Sequence, residues 1–390
     1  MNKSPNSHRL HIGIFGRQNA GKSSLINAIT NQDAAVVSDV KGTTTDPVFK
    51  PMELLPIGPV MLIDTPGIDD TTELGEKRIS RTQKILRRTD LALLAVDSTV
   101  GMNEDDQRMI ELFTKKGISY LIIYTKSDLP NTRAGEQYSL AVSAVTGEGI
   151  HELKEKIAEI GKLEEEFPLV ADLLTTGDVV VLVVPIDSSA PKGRLILPQQ
   201  QVLRDVIDMG AVAIVCQPAQ LDEVLKTPPK LVIADSQVFG QVAKIVPSHI
   251  PLTSFSILMA RYKGVLKEAV QGAANISEIK TGDKILIAEG CTHHRQCDDI
   301  GTVKIPKWIE EKTGERPTFE FSSGGDFPHD LTPYKLIIHC GSCMQNTREM
   351  QHRKNAAINA GIPITNYGIA ISYIHGILDR IIAPFAEVLK

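Results

Sequence analysis

Apolar residues in this chain come in short runs. His11-Ile-Gly-Ile-Phe15, Val60-Met-Leu-Ile63, Leu91-Ala-Leu-Leu-Ala-Val96 and Tyr120-Leu-Ile-Ile-Tyr124 occupy the first part. Val179-Val-Val-Leu-Val-Val184, Val212-Ala-Ile-Val215 and Leu231-Val-Ile-Ala234 follow in the middle, then Lys284-Ile-Leu-Ile-Ala288 and Lys335-Leu-Ile-Ile338. Unbroken runs of this length are what strands buried on both faces of a parallel sheet require. Between them lie stretches read as helix over 24–29, 150–157, 199–209, 236–245, 259–272 and 303–313, with an extended segment at 318–321. Alternation of the two kinds predicts an α/β protein built on mostly parallel sheets.

Breaks in the pattern divide the chain. Gly161-Lys-Leu-Glu-Glu-Glu-Phe-Pro168 is a charged connector ending in proline, so a first domain over 1–162 is expected, then smaller parallel α/β domains over 170–258 and 259–390. The 390 residues also exceed what one core usually organises. The middle segment carries strands and no chemistry, which points to an association surface and a homodimer, with a plain spacer as the alternative. The last apolar stretch, 369–389, contains Asp379, Arg380 and Glu387 and reads as a packed helix, not as a span of about 18 uncharged residues. The polar start, Met1 to His8, lacks the apolar core of a secretory signal. A cytoplasmic protein with no membrane partner is expected. A net charge of -5 and a pI near 6.1 give no basic footprint for nucleic acid.

Candidate chemistry begins directly after the first run. Gly16-Arg-Gln-Asn19-Ala20-Gly21-Lys22-Ser23-Ser24 fits GxxxxGK(S/T) between a strand and a helix. Its glycines let backbone N–H groups wrap phosphates, Lys22 reaches the terminal phosphates and Ser23 reaches Mg²⁺. Thr44, between Thr43 and Thr45, offers a second hydroxyl to the magnesium. Asp64-Thr-Pro-Gly67 supplies a carboxylate on the metal's other side and a glycine N–H for the γ-phosphate. In Thr125-Lys126-Ser127-Asp128 a buried carboxylate would pair with guanine N1–H and its 2-amino group, a donor pair adenine lacks. Ser143-Ala144 offers backbone N–H to guanine O6. GTP and Mg²⁺ are thus the expected ligands, with Lys22, Thr44, Asp64 and Gly67 closest to the reaction.

These motifs, in this order over residues 10–160, resemble the translation-factor-like bacterial GTPases of the Era and TrmE group. The resemblance implies a doubly wound sheet and hydrolysis of GTP to GDP and phosphate. Two positions depart from the pattern. Thr125 stands where the group carries the asparagine of NKxD, which leaves a loop-bracing contact open, and Ile68 stands where Ras-like enzymes carry a water-orienting glutamine. Unassisted hydrolysis is therefore expected to be slow. The resemblance also implies activation by a K⁺ ion held by Asn19.

The last third holds four of the five cysteines. Cys291, His293 and Cys297 follow one apolar run, while His339, Cys340 and Cys343 follow another, so thiols and imidazoles are expected at the carboxyl ends of neighbouring strands. Zinc and iron–sulfur both accept that donor set, and a redox dithiol is a third reading. Cys216 stands alone and reads as a core thiol.

Taken with the GTPase motifs and the middle segment, Cys-x-His followed by His-Cys-x-x-Cys resembles the HydF family of [FeFe]-hydrogenase maturation GTPases over the whole chain. The resemblance implies a [4Fe–4S] cluster on Cys291, Cys340 and Cys343. Its fourth position falls to His293, Cys297, Asp298, His339 or an exogenous group. It further implies a transient diiron precursor as cargo, with apo-[FeFe]-hydrogenase and radical-SAM maturases as partners. The competing reading is a regulatory or ribosome-associated GTPase with a structural zinc.

Overall fold

The computed structural model describes residues 9–30, 48–55, 57–65, 82–130, 139–161, 168–186, 195–290, 299–387 and 389. The chain forms two compact units, 1–164 and 165–390.

In the first unit β1 (Leu10–Phe15), β2 (Val48–Leu54), β3 (Gly58–Asp64), β4 (Leu91–Asp97), β5 (Ser119–Thr125) and β6 (Ser139–Ala141) form one sheet, ordered β2-β3-β1-β4-β5-β6. Only β2 runs antiparallel. Helices α1 (Lys22–Thr30), α2 (82–86), α3 (Glu104–Lys115) and α4 (Ile150–Ile160) cover both faces. Alternate residues of β4 serve opposite cores: Leu91, Leu93 and Ala95 pack with Leu25 and Leu153, whereas Ala92, Leu94 and Val96 pack with Met109 and Phe113. This two-sided burial explains the unbroken apolar runs. The chain order reverses about β1, which opens a crevice at the carboxyl ends of the strands. β2, β6, α2 and α3 are additional to the expected elements.

The second unit contains two parallel sheets. β7 (Val179–Val183), β8 (Val212–Cys216), β9 (Leu231–Ala234) and β10 (Leu252–Ser254) are ordered β10-β9-β7-β8. They alternate with α5 (Leu197–Asp208), α6 (Leu221–Val224) and α7 (Phe239–Ile245), and α8 (Phe255–Tyr262) and α9 (Leu266–Ala273) follow. β11 (Lys284–Glu289), β12 (Thr318–Ser323), β13 (Leu336–His339) and β14 (Ile364–Asn366) are ordered β12-β11-β13-β14, with α10 (Ile305–Thr313), α11 (Thr347–Asn359), α12 (Tyr367–Ile374) and α13 (Leu378–Ile382).

The two sheets have the same topology, with the second, first, third and fourth strands side by side. Their last strands and helices also repeat in sequence. Leu252-Thr-Ser-Phe-Ser-Ile-Leu-Met-Ala-Arg-Tyr-Lys-Gly-Val-Leu266 aligns with Ile364-Thr-Asn-Tyr-Gly-Ile-Ala-Ile-Ser-Tyr-Ile-His-Gly-Ile-Leu378. Ser254 and Asn366 cap equivalent helices by accepting from the N–H groups of Ile257 and Ile369. Gly264 and Gly376 end those helices at φ 63° and 71°, which replaces the single helices expected over 259–272 and 369–389 with broken pairs. The helices beyond the glycines are exchanged: α9 packs on β14 and α13 packs on β10. Phe255, Ile257 and Met259 share one core with Val180 and Ile233 of the first of these sheets and with Met350, Ile369 and Phe385 from helical segments that accompany the second, so the division expected at 258/259 falls within a shared core. The helix expected over 303–313 is preceded by a π-helical turn, Ile300–Lys304, capped by Asp299. No helix among the described residues is long and apolar enough to cross a membrane.

Candidate functional site

The loop from Gly16 to Ser23 joins β1 to α1 at the crevice. A Cβ at Gly16 would stand 2.3 Å from the Ala95 carbonyl oxygen, so only glycine lets the loop pass β4. Asn19 and Gly21 adopt φ of 61° and 80°. Lys22 Nζ donates to the carbonyls of Gly16 at 2.9 Å and Arg17 at 2.7 Å, which folds its ammonium over the loop. Ser23 Oγ donates to Asp64 Oδ2 at 3.0 Å, so the two magnesium candidates meet across the crevice. Burial pushes the Asp64 carboxyl above its ordinary value, against the Ser23 bond and the charges of Lys22 and Lys50. Arg17 donates to the Gly101 carbonyl at 2.6 Å and pairs with buried Asp106 at 3.2 Å, which ties the loop to the start of α3.

Thr125 supplies the bracing contact that its replacement of asparagine left open. Its hydroxyl lies 2.8 Å from the Ala20 carbonyl and 3.2 Å from that of Val96, linking the end of β5 to the phosphate loop. Lys126 pairs with Asp97 at 2.5 Å. Burial pushes the Asp97 carboxyl up, but its bonds from Lys126 and Thr99 hold it below the ordinary value. Asp128 is exposed, not buried as expected, because it lies in the turn beyond β5. Ser143 is buried, spends its N–H on the Glu148 carbonyl at 3.0 Å and accepts from Val145 and Thr146. Of the pair expected to meet O6, Ser143 therefore has its N–H engaged within the protein.

β11 and β13 are neighbours, with Ala288 opposite His339, so their carboxyl ends emerge side by side. Cys340 extends the ladder by donating its N–H to the Ala288 carbonyl at 2.9 Å. Its sulfur accepts the N–H groups of Gly290 at 3.0 Å and Ser342 at 3.4 Å, and Gly290 immediately precedes Cys291 in the chain. Burial pushes the Cys340 thiol up, while the two N–H groups and the Arg353 charge oppose that rise. Cys343 is half-buried in the turn before α11. Cys216 is buried in the core, as expected, and burial raises its thiol.

His339 has a different place from the one expected of a fourth ligand. It is 1% exposed, and its Nε2 lies 2.8 Å from Arg353 Nη1. Because guanidinium only donates, Nε2 accepts and the proton sits on Nδ1, facing the Cys340 carbonyl at 3.0 Å and Ser342 Oγ at 2.9 Å. Both ring nitrogens are thereby occupied. Burial, then the Arg353 charge, lowers its pKa to about 3, so the ring is neutral. Arg353 and Glu349 were not among the expected site residues. An acid four residues before a base ordinarily reads as a solvated helix face.

Thr43, Thr44, Thr45, Gly67, Ile68, Cys291, His293, Cys297 and Asp298 lie outside the described residues. Among the described residues no three His, Cys, Asp or Glu side chains gather closely enough to hold a metal. The donors that are described do suit an iron–sulfur cluster: a thiol directly after β13 and another in the turn that follows, N–H groups aimed at one sulfur, and a third cysteine next in sequence to the residue that supplies one of them.

The chain matches three family models: a 50S ribosome-binding GTPase over 11–126, a hydrogen maturase F dimerization domain over 169–264 and a hydrogen maturase F tetramerization domain over 267–384. The tRNA modification GTPase MnmE of Moorella thermoacetica is 37% identical over 163 residues, covering 39% of this chain and 35% of that protein. GTPase Der of Kosmotoga olearia is 34% identical over 168 residues, covering 38% of each. The chain thus spans little more than a third of the length of these curated relatives. A crystal structure of Era with MgGDPNP and 16S ribosomal RNA aligns at a TM-score of 0.34 and 17% identity, covering 53% of this chain and 91% of Era.

Proposed function

The chain belongs to the hydrogen maturase F family, and from that premise we propose that it is a GTPase and [4Fe–4S] scaffold that assembles the diiron subcluster and transfers it to apo-[FeFe]-hydrogenase. The observation that carries this reading is the pair of N–H groups, from Gly290 and Ser342, that converge on Cys340 at the shared strand ends.

Cys291, Cys340 and Cys343 hold the cluster. Three thiolates leave one iron with a replaceable ligand, which is the chemistry a carrier needs in order to bind and release an inorganic fragment. With His339 engaged by Arg353, the fourth position falls to His293, Cys297, Asp298 or an exogenous group. Gly290 and Ser342 orient the Cys340 sulfur, and Ala288 fixes its backbone.

At the other site Gly16 to Ser24 wrap the phosphates and Lys22 swings from the loop carbonyls to the terminal phosphates. Ser23, Thr44 and Asp64 flank Mg²⁺, Gly67 meets the γ-phosphate, and Lys126, Asp128 and Ala144 read the guanine. Hydrolysis is slow without help and K⁺ at Asn19 speeds it. The middle segment forms the homodimer, and radical-SAM maturases supply the precursor.

Anaerobic metal analysis with visible and EPR spectra tests the reading. Iron with a broad brown absorption, lost in Cys340→Ser, is the expected result. One tightly held zinc per chain in a colourless protein would contradict it and favour a structural-zinc GTPase.

A further inference from the structure

A buried charge pair stands behind His339. Arg353 is 1% exposed and Glu349 3% exposed, both on α11, with Arg353 Nε donating to Glu349 Oε1 at 2.9 Å. Each of the three guanidinium nitrogens donates. Nη1 donates to His339, Nη2 donates to the Gly324 carbonyl at 2.6 Å, and the plane lies 4.9 Å over Phe327. Helical side chains lean toward the amino terminus, so Arg353 reaches back along α11 toward the loop that carries Cys340 and Cys343. His339 then passes the contact on by donating from Nδ1 to the Cys340 carbonyl and Ser342 Oγ. A buried ion pair is a poor source of stability compared with apolar packing, so a role beyond folding is the better account of this one.

We propose that Arg353 is a positioning residue for the cysteine loop, acting through His339, and that Arg353 and Glu349 together set how readily a cluster bound at Cys340 and Cys343 accepts an electron. The inference rests on the cluster reading above. An added electron makes the cluster more negative, which a guanidinium nearby favours and a carboxylate opposes, and both effects are strong where water is excluded. Arg353 touches His339, the residue that precedes Cys340, whereas Glu349 joins that ring through Arg353, so the guanidinium is the member of the pair in contact with the end of β13.

The test uses the full chain, reconstituted anaerobically with iron and sulfide and titrated with dithionite, which supplies the single electron, while EPR follows the reduced cluster. Glu349→Gln keeps the shape and the acceptor but removes the opposing charge. Its reduction equilibrium should rise about tenfold, 59 mV for one electron. Arg353→Gln should move it the opposite way by a similar factor. Arg353→Lys should keep the potential near that of the parent. In the metal-free chain it should raise the rate at which Cys340 is alkylated several-fold, because the planar fork to His339 and Gly324 is lost. Should Arg353→Gln fail to fold, Glu349→Gln and Arg353→Lys still decide. Shifts of the same sign, or none, with iron content unchanged, overturn the proposal. If the parent chain takes up no iron, the cluster reading fails instead, and an unchanged alkylation rate in Arg353→Lys then overturns the positioning role separately.

Discussion

Thr125 shows how one side chain joins two parts of the nucleotide site. Its hydroxyl, at the end of β5, supplies the donor that satisfies the Ala20 carbonyl in the phosphate loop. Thr125→Val keeps the shape and leaves that buried carbonyl without a partner, a loss of about 1–3 kcal/mol. If the loop's bound conformation depends on this bond, GDP affinity should fall about tenfold, the equivalent of about 1.4 kcal/mol, by titration calorimetry. Unchanged affinity would show that the loop holds its shape without it. The phosphate loop was readable in the sequence because its chemistry demands particular residue types at fixed spacing. His339 was read as a possible ligand for the same reason, since imidazole beside thiols is a donor set. What decides its role is Arg353, fourteen residues away and one helix later. No local pattern distinguishes a buried Glu–Arg pair from a solvated one.

The sheets were largely legible because their central strands are buried on both faces. β10 and β14 were not, since each is three residues long and its apolar content merges with the helix that follows. The breaks after α8 and α12 were missed because one glycine in a helical pattern is a weak stop signal until its left-handed φ is seen. The repeat of these elements rests on few identities and is secured by the matching caps and strand order. Gly272 marks how closely the exchanged helix approaches: a Cβ there would stand 2.1 Å from the Ile364 carbonyl oxygen of β14. Backbone cannot yield as a flexible side chain does. Gly272→Ala should therefore destabilise the second unit by about 1–3 kcal/mol, read as a lowered midpoint in denaturant with the first unit's transition unmoved. An unshifted midpoint would mean that α9 is not seated on β14.

Across the molecule, two units each carry one candidate chemistry, phosphate binding in the first and thiols in the second. Within the second, exchange of α9 and α13 makes the two sheets depend on each other. A fragment of residues 165–264 should lack α13 over β10 and show no cooperative unfolding transition, whereas 165–390 should unfold in a single one. Cooperative unfolding of the shorter fragment would make the shared core incidental. On the proposed reading the three cysteines hold one iron–sulfur cluster at the carboxyl ends of β11 and β13. Anomalous diffraction at the iron edge, on crystals of the reconstituted full chain, is the decisive measurement. One compact iron peak bonded to the sulfurs of Cys291, Cys340 and Cys343 is expected, with His339 still turned to Arg353. An iron peak elsewhere, or density at this place that responds only at the zinc edge, would contradict it.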